Sequence, residues 1–334
     1  MVMTNQGTQS MQRQAGVTLV EIMVALAIGS FLMIGAVQVY NQSRQAYVIN
    51  ESIARVQETA QFAMDTIEAD VRMASNWGRH SRGNAIEGRS LLVDANPKGL
   101  TEPVGATGSC GATWAFDLAR PIAGDNNAYT LPCAPTGGAA AQAASDIVTT
   151  RRVTVAPTPP TVGRLQIQST RIQGELFEDG AVPPTFDPAR SETHDLLVNT
   201  YYVAADSALI PGVPTLRRKS LQIVGGAPAI VDQEVAPGVE NLQLQFGVDV
   251  DGDNTVDRYV NPGSPILDPA DALFIPGSRV ITARIWLLVR GVEREAGIQD
   301  LRNYSPGDVA LGAFNDAFRR LQISKTILLR NARS

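Results

Sequence analysis

Val17-Thr-Leu-Val-Glu-Ile-Met-Val-Ala-Leu-Ala-Ile-Gly-Ser-Phe-Leu-Met-Ile-Gly-Ala-Val-Gln-Val-Tyr40, entered through Arg13-Gln-Ala-Gly16, decides the reading of this 334-residue chain. Between Val17 and Tyr40 the clearly polar side chains are Thr18, Glu21, Ser30 and Gln38. A membrane-spanning helix needs roughly 20 mainly apolar residues, and this run supplies them. A secretory signal peptide would place a small-residue cleavage site after a shorter apolar core. Here the small pair Ala15-Gly16 and the basic Arg13 come before the run, so cleavage behind Gly16 leaves the apolar helix on the mature protein. An ionised carboxylate at the front of such a run is costly unless it has a partner or a function, which singles out Glu21. The bland alternative is a glutamate that reaches back to the interface. Gly29 and Gly35 are six apart and do not form a GxxxG pair.

Beyond Tyr40 the sequence turns polar, yet Ile49, Ile53, Val56, Ala60, Ala63, Ile67 and Val71 recur every three or four residues, the apolar stripe of an amphipathic helix. No proline falls between Val17 and Ser75, so the pattern predicts one helix over 17–75. Asn76-Trp77-Gly78 reads as its stop, with Gly78 as the left-handed cap. Residues 1–16 are then a leader, 17–40 the membrane or filament-core half of the helix, and 41–78 its amphipathic half. Residues 79–145 read as loop-rich and 146–334 as a β-rich head. Strands are predicted at Asp146–Val155, Arg164–Ile172, Asp195–Val203, Thr215–Val224, Val239–Val248, Arg279–Val289 and Ser324–Arg330, separated by Pro/Gly turns. Leu311–Leu321 reads as a short helix. The fold class is α+β: a long amino-terminal helix on antiparallel sheet, in one or two sheets.

The net charge of −5 and scattered arginine clusters argue against a nucleic-acid surface. Cys110 and Cys133 are the two cysteines. In an exported domain they would form a disulfide, whereas two thiols beside only two histidines make a poor zinc site. Asp249-Val-Asp251-Gly-Asp253-Asn-Thr-Val-Asp257 places carboxylates at positions one, three, five and nine of a calcium loop. Asn254 stands where that loop has glycine and Val260 where it has the bidentate glutamate, so the competing reading is a solvated acidic turn. A bound calcium here would stabilise structure, and no cofactor is otherwise required. Nucleophile elbows, phosphate-binding glycine loops and HExxH helices are all missing from the sequence. His80 reads as a surface residue, His194 as an edge-strand one and Glu178-Asp179 as a loop pair. The chain is therefore read as a non-enzyme.

The order leader, Gly16, Val17, Glu21 and apolar run resembles the class III signal of type IV prepilins and type II secretion pseudopilins. The resemblance implies cleavage behind Gly16 by a membrane prepilin peptidase and methylation of the Val17 amine. It also implies a role for Glu21 in assembly, as partner to the Val17 amine of a neighbouring subunit. Val17 replaces the usual phenylalanine, and translation is expected to start at Met11. Further blocks are similar to the PilW-type minor pilin: Arg44-Gln-Ala-Tyr-Val-Ile-Asn-Glu, Asp70-Val-Arg-Met-Ala, Asp146-Ile-Val-Thr-Thr-Arg-Arg, Tyr201-Tyr-Val, Gly238-Val-Glu-Asn-Leu-Gln-Leu-Gln-Phe-Gly and Ser324-Lys-Thr-Ile-Leu-Leu-Arg-Asn. That implies a single pass through the inner membrane with a periplasmic head, then a place in the pilus. Its partners would be other minor pilins, the major pilin, the inner-membrane assembly platform and a tip adhesin, and its role to prime pilus assembly at the tip. A type II secretion minor pseudopilin shares the signal. A tip adhesin or binding module is the reading of a different class.

Overall fold

A computed structural model of the chain describes residues 16–136, 140–295 and 297–333. Most of the leader, including the Met11 start, lies outside the described residues. The long helix α1 runs Leu19–Met73, 55 residues and about 82 Å at 1.5 Å per residue. A short α2 spans Ala112–Phe116. The early strands are brief: β1 (Ile86–Glu87), β2 (Val104–Gly105), β3 (Gly108–Ser109) and β4 (Ile122–Asp125). The longer ones follow as β5 (Ile147–Val153), β6 (Val162–Ser169), β7 (Gly174–Asp179), β8 (Glu192–Ala204), β9 (Thr215–Val224), β10 (Ala227–Pro237) and β11 (Val239–Asp249). The carboxy-terminal part holds β12 (Arg258–Val260), β13 (Arg279–Arg290), β14 (Asn303–Tyr304), β15 (Gly312–Ala313) and β16 (Arg320–Leu328).

The chain divides into two compact units, Met1–Ser52 and Ile53–Ser334. In the first, every described residue up to Glu51 is exposed, including Leu19, Phe31, Leu32 and Tyr47. Apolar surface of that extent needs lipid or other helices to cover it.

In the second unit, a ten-stranded sheet runs β1-β7-β6-β8-β9-β10-β2-β3, with β5 joining β8 and β4 joining β5. A four-stranded sheet, β12-β11-β13-β16, forms a separate ladder, and β14 and β15 form a ribbon. Pairing is antiparallel except at two short peripheral contacts, β1 with β7 and β2 with β10. From Val56 on, the stripe read from the sequence is the helix face that the head buries, whereas Ile49 is exposed and Ile53 half-buried. Val56, Ala60, Ala63, Met64, Ile67 and Val71 share one core with Leu242, Leu244 and Phe246 of β11 and Ile285, Leu287 and Val289 of β13. A second core gathers Trp77, Trp114, Phe116, Leu165, Ile167 and the Cys110–Cys133 disulfide, whose Cα atoms are 4.5 Å apart. Segment 79–145 thus supplies strands and core side chains to the same unit as the rest of the head.

Charge also pins α1 to the sheet. Asp70, 4% exposed, accepts from Arg152 Nε and Nη2, Asn199 Nδ2 and Tyr201 Oη at 3.0, 2.8, 2.7 and 2.6 Å. A carboxylate buried this deeply is tolerated because charge and hydrogen bonds both compensate its desolvation.

Five local expectations are corrected. The left-handed residue that ends α1 is Ser75 (φ 67°), two residues past Met73, rather than Gly78. Gly78 (φ 84°) is needed for close approach, since a Cβ there would lie 2.6 Å from Ser169 Oγ. Leu311–Leu321 is not helical. Asn315 takes φ 54°, and its two phenylalanines stack under arginines, Phe314 at 3.8 Å from Arg320 and Phe318 at 4.2 Å from Arg290. The last strand accordingly starts at Arg320, four residues before its expected Ser324. His194 is no edge residue: it is 2% exposed with Nδ1 2.8 Å from Thr154 O. His80 is half-buried, with Nδ1 accepting from Arg82 N at 3.1 Å. Burial and the nearby Arg82 charge hold His80 below the usual histidine value. The sequence reading missed β7 and β10. β10 holds two prolines and three charged or amide side chains, which mask its alternation.

Candidate functional site: the amino-terminal motif and the acidic loop

Gly16, Val17 and Glu21 lie together at the start of the first unit, all exposed. Helix α1 begins at Leu19, which makes Thr18 its amino-terminal cap. Thr18 Oγ1 accepts the Glu21 N–H at 3.3 Å. Thr18-Leu-Val-Glu21 is the spacing of a capping box, a signal present in the sequence but not read from it. Glu21 therefore sits in the first helical turn, where the helix dipole favours an anion, within reach of any positive group brought to that end. Glu21 belongs to the cap of its own helix through its backbone N–H, and its side chain is exposed. The helix carries one segment long and apolar enough to cross a membrane, near the amino terminus.

The acidic loop joins β11 to β12, whose register pairs Phe246, Gly247 and Val248 with Val260, Tyr259 and Arg258. Of the four predicted ligands, Asp249, Asp251 and Asp257 offer carboxylate oxygens that all lie within 4.8 Å of one another. Asp253 is not in that group. Its Oδ1 accepts from Thr255 N and Oγ1, both at 2.7 Å. Asp249 is fully buried and accepts the N–H groups of Gly252 (2.7 Å) and Asn254 (3.0 Å). Asn254 takes φ 67°, the left-handed geometry that the sixth position of a calcium loop requires. The sequence reading also missed Arg279 at the start of β13. Its guanidinium reaches Asp249 Oδ2 at 3.0 Å, Gly252 O and Asn254 Oδ1. Burial alone would raise the Asp249 carboxyl, but the two N–H donors and Arg279 hold it below the ordinary carboxylate value. A cation would coordinate through the exposed Asp251 and Asp257 and share Asp249 with Arg279.

The chain thus sets an apolar helix behind a Gly16–Val17 junction, with Glu21 in its first turn and the far half of the helix buried in a β-rich head. The motif described as the Prokaryotic N-terminal methylation motif matches residues 11–37. The family described as Type IV Pilus-assembly protein W (PilW) matches residues 200–331, from the middle of β8 to the end of the chain's last strand and beyond. The chain thus carries a prepilin-type methylation motif at its start and resembles the PilW family over residues 200–331. It is 37% identical over 103 residues to the type II secretion system protein J of Vibrio cholerae, over 29% of this chain and 46% of that protein. The chain therefore spans less than half of that relative's length. A solved type IV-like pilin from Thermus thermophilus is 15% identical, covers 60% of this chain and 83% of its own, and has a TM-score of 0.27. The apolar helix and the methylation motif together fit a single-pass inner-membrane anchor.

Proposed function

We propose that this chain is a minor pilin that takes part in priming type IV pilus assembly and stands in the tip complex of the pilus. The observation that carries the reading is the coexistence, in one chain, of the methylation motif at 11–37, an entirely uncovered apolar helical segment and a PilW-type head. The mechanism is physical. The prepilin peptidase cuts behind Gly16, and the Val17 amine is methylated. The uncovered helix then leaves lipid for a bundle of pilin helices, where packing offsets the loss of lipid contact. Glu21 is neutralised there by the Val17 amine of a neighbouring subunit. The head stays in the periplasm until assembly, and the partners are other minor pilins, the major pilin, the assembly platform and a tip adhesin.

A second reading, a minor pseudopilin of type II secretion, is supported by the similarity to the Vibrio cholerae protein J. Deletion of the coding sequence, with surface pili and secreted exoproteins measured in the same strain, separates the two. Loss of pili with intact secretion is the expected result; intact pili with lost secretion refutes the pilus reading. Adhesion by the isolated head is the remaining reading, and a head that binds surfaces in a strain whose deletion leaves pili intact would favour it.

For the acidic loop we propose a structural calcium bound by Asp249, Asp251 and Asp257, which supports the β11–β12 turn without chemistry. Calcium-dependent melting that vanishes in Asp251→Ala is the expected outcome; identical melting with and without chelator overturns it.

A further inference from the structure

Asp146 stands immediately before β5, on the seam where the ten-stranded sheet meets the four-stranded one. The segment around it is stitched to β11. Asp146 N donates to Leu242 O at 2.8 Å and Leu242 N to Ser145 Oγ at 3.1 Å, while Asn241 Nδ2 and Gln243 Nε2 donate to Ala144 O at 2.7 and 2.9 Å. The Asp146 carboxyl, on a residue 1% exposed, adds a third segment to the seam. Its Oδ1 accepts the N–H of Asn127, just past β4, and its Oδ2 the N–H of Leu244 on β11, both at 2.7 Å. Among the described residues no cation pairs with it. The charges that reach it are acidic: Asp308, exposed between β14 and β15, and Asp125 at the end of β4. The β11 residues bonded to this segment, Asn241 to Leu244, carry no charge, nor do Ser145 and Ile147 on either side.

A buried carboxylate is tolerated where a cation and hydrogen bonds together offset its desolvation. Asp249 has both, two backbone N–H groups and Arg279, and its carboxyl is held low. Asp146 has two N–H bonds of the same kind, no guanidinium, and two acids nearby. Burial, with the Asp308 and Asp125 charges, outweighs those two bonds and pushes its carboxyl up to about 7. A neutral carboxyl keeps acceptor capacity, so the seam can stay bonded with the proton on. We propose that Asp146 is a proton-operated latch on the seam between the two sheets, shut while its carboxyl is neutral and easier to open once it is ionised. Opening lets the carboxyl ionise at its ordinary value of 3.8. The seam's stability is therefore fully present below that value, is lost as pH rises to about 7, and levels off beyond it.

The test is a pH titration of the full chain in detergent, followed by NMR of isotope-labelled aspartate carboxyls and by hydrogen exchange at the Asn127 and Leu244 amides. One aspartate carboxyl is expected to titrate with a midpoint near 7, and that signal should be missing from Asp146→Asn. Should Asp146→Asn fail to fold, Asp308→Asn removes one of the repelling charges at an exposed position and is expected to move the same midpoint down. Exchange at the two amides, corrected for its intrinsic rise with pH, reads the seam itself. Opening is expected to grow by up to about tenfold per pH unit between about pH 4 and 7, then level off. In folded Asp146→Asn this growth should be absent. A wild type whose aspartates all titrate below about pH 5, or whose seam opens equally at about pH 5 and 7, overturns the proposal. So does a near-neutral midpoint that does not move in Asp308→Asn and persists in folded Asp146→Asn.

Discussion

Replacing Asp70 with alanine removes the anion on which Arg152, Asn199 and Tyr201 converge at the junction of α1 with β5 and β8. The Arg152 side chain is 18% exposed and that of Asp70 6%, so the ion pair is largely out of water. Removing one partner of such a pair costs about 3–5 kcal/mol, because the other charge stays behind unpaired. At about 2 °C per kcal/mol for a domain of this size, the melting temperature should fall on the order of 6–10 °C. The same logic predicts an asymmetry. Asp70→Leu with Arg152→Met removes both charges and should recover most of that loss, leaving chiefly the unpaired Asn199 and Tyr201 donors. Urea unfolding of the full chain in detergent, followed by tryptophan fluorescence, measures both variants; Trp77, fully buried just past the end of α1, is a reporter of this junction. A loss below about 1 kcal/mol in Asp70→Ala would refute the view that this buried anion holds helix to head.

Glu21→Ala should be processed behind Gly16 as usual yet fail to support pili. Thr18→Val removes the helix cap at about 1 kcal/mol and should leave pili in place; equal loss of pili in both variants would reduce Glu21 to a capping role. Cys110→Ser with Cys133→Ser opens a loop of sequence separation 23 and should lower stability by about 3 kcal/mol, read as the urea midpoint under oxidising conditions. The Arg320 guanidinium holds Asp316 below the ordinary carboxylate value of 3.8. Burial would raise Asp300, but Arg302 and Tyr304 hold it low as well. Carboxyls depressed in the folded state give stability that is complete above the unfolded value and is lost as pH falls through the folded one. Melting temperature should therefore drop most steeply below about pH 4, and a flat profile from pH 7 to 2 contradicts this.

The helix was legible because one physical rule governs each half: mainly apolar on all sides to Tyr40, then one stripe from Ile49 to Val71, of which the head buries the part from Val56 on. The long central strands were legible where β-branched and apolar residues lie between turn signals, as in Thr215–Val224, whose bounds agree with β9 although Arg217-Arg218-Lys219-Ser220 interrupt its alternation. β10 was not, because Pro228, Asp232 and Glu234 are acceptable only beside their β9 partners, among them Lys219 and Arg217. The supposed helix at Leu311–Leu321 failed for a related reason. Phe314 and Phe318 have helical spacing, but their partners are Arg320 and Arg290, and the buried Arg320 is matched by Glu240, Asp300 and Asp316. Ionic networks assembled across distant segments leave no periodic trace. In the acidic loop the aspartate spacing was visible, but Arg279, contributed by the next strand, was not. At the amino terminus Gly16, Val17 and Glu21 stood out by local chemistry, and the cap at Thr18 adds a function that the acid alone did not suggest.

The most direct test of the central claim is mass spectrometry of this protein recovered from sheared surface pili. The account predicts that it is present in that fraction and that its amino-terminal peptide begins at an N-methylated Val17. A protein confined to the membrane fraction, or one whose amino terminus is unmethylated or lies upstream of Gly16, would contradict it.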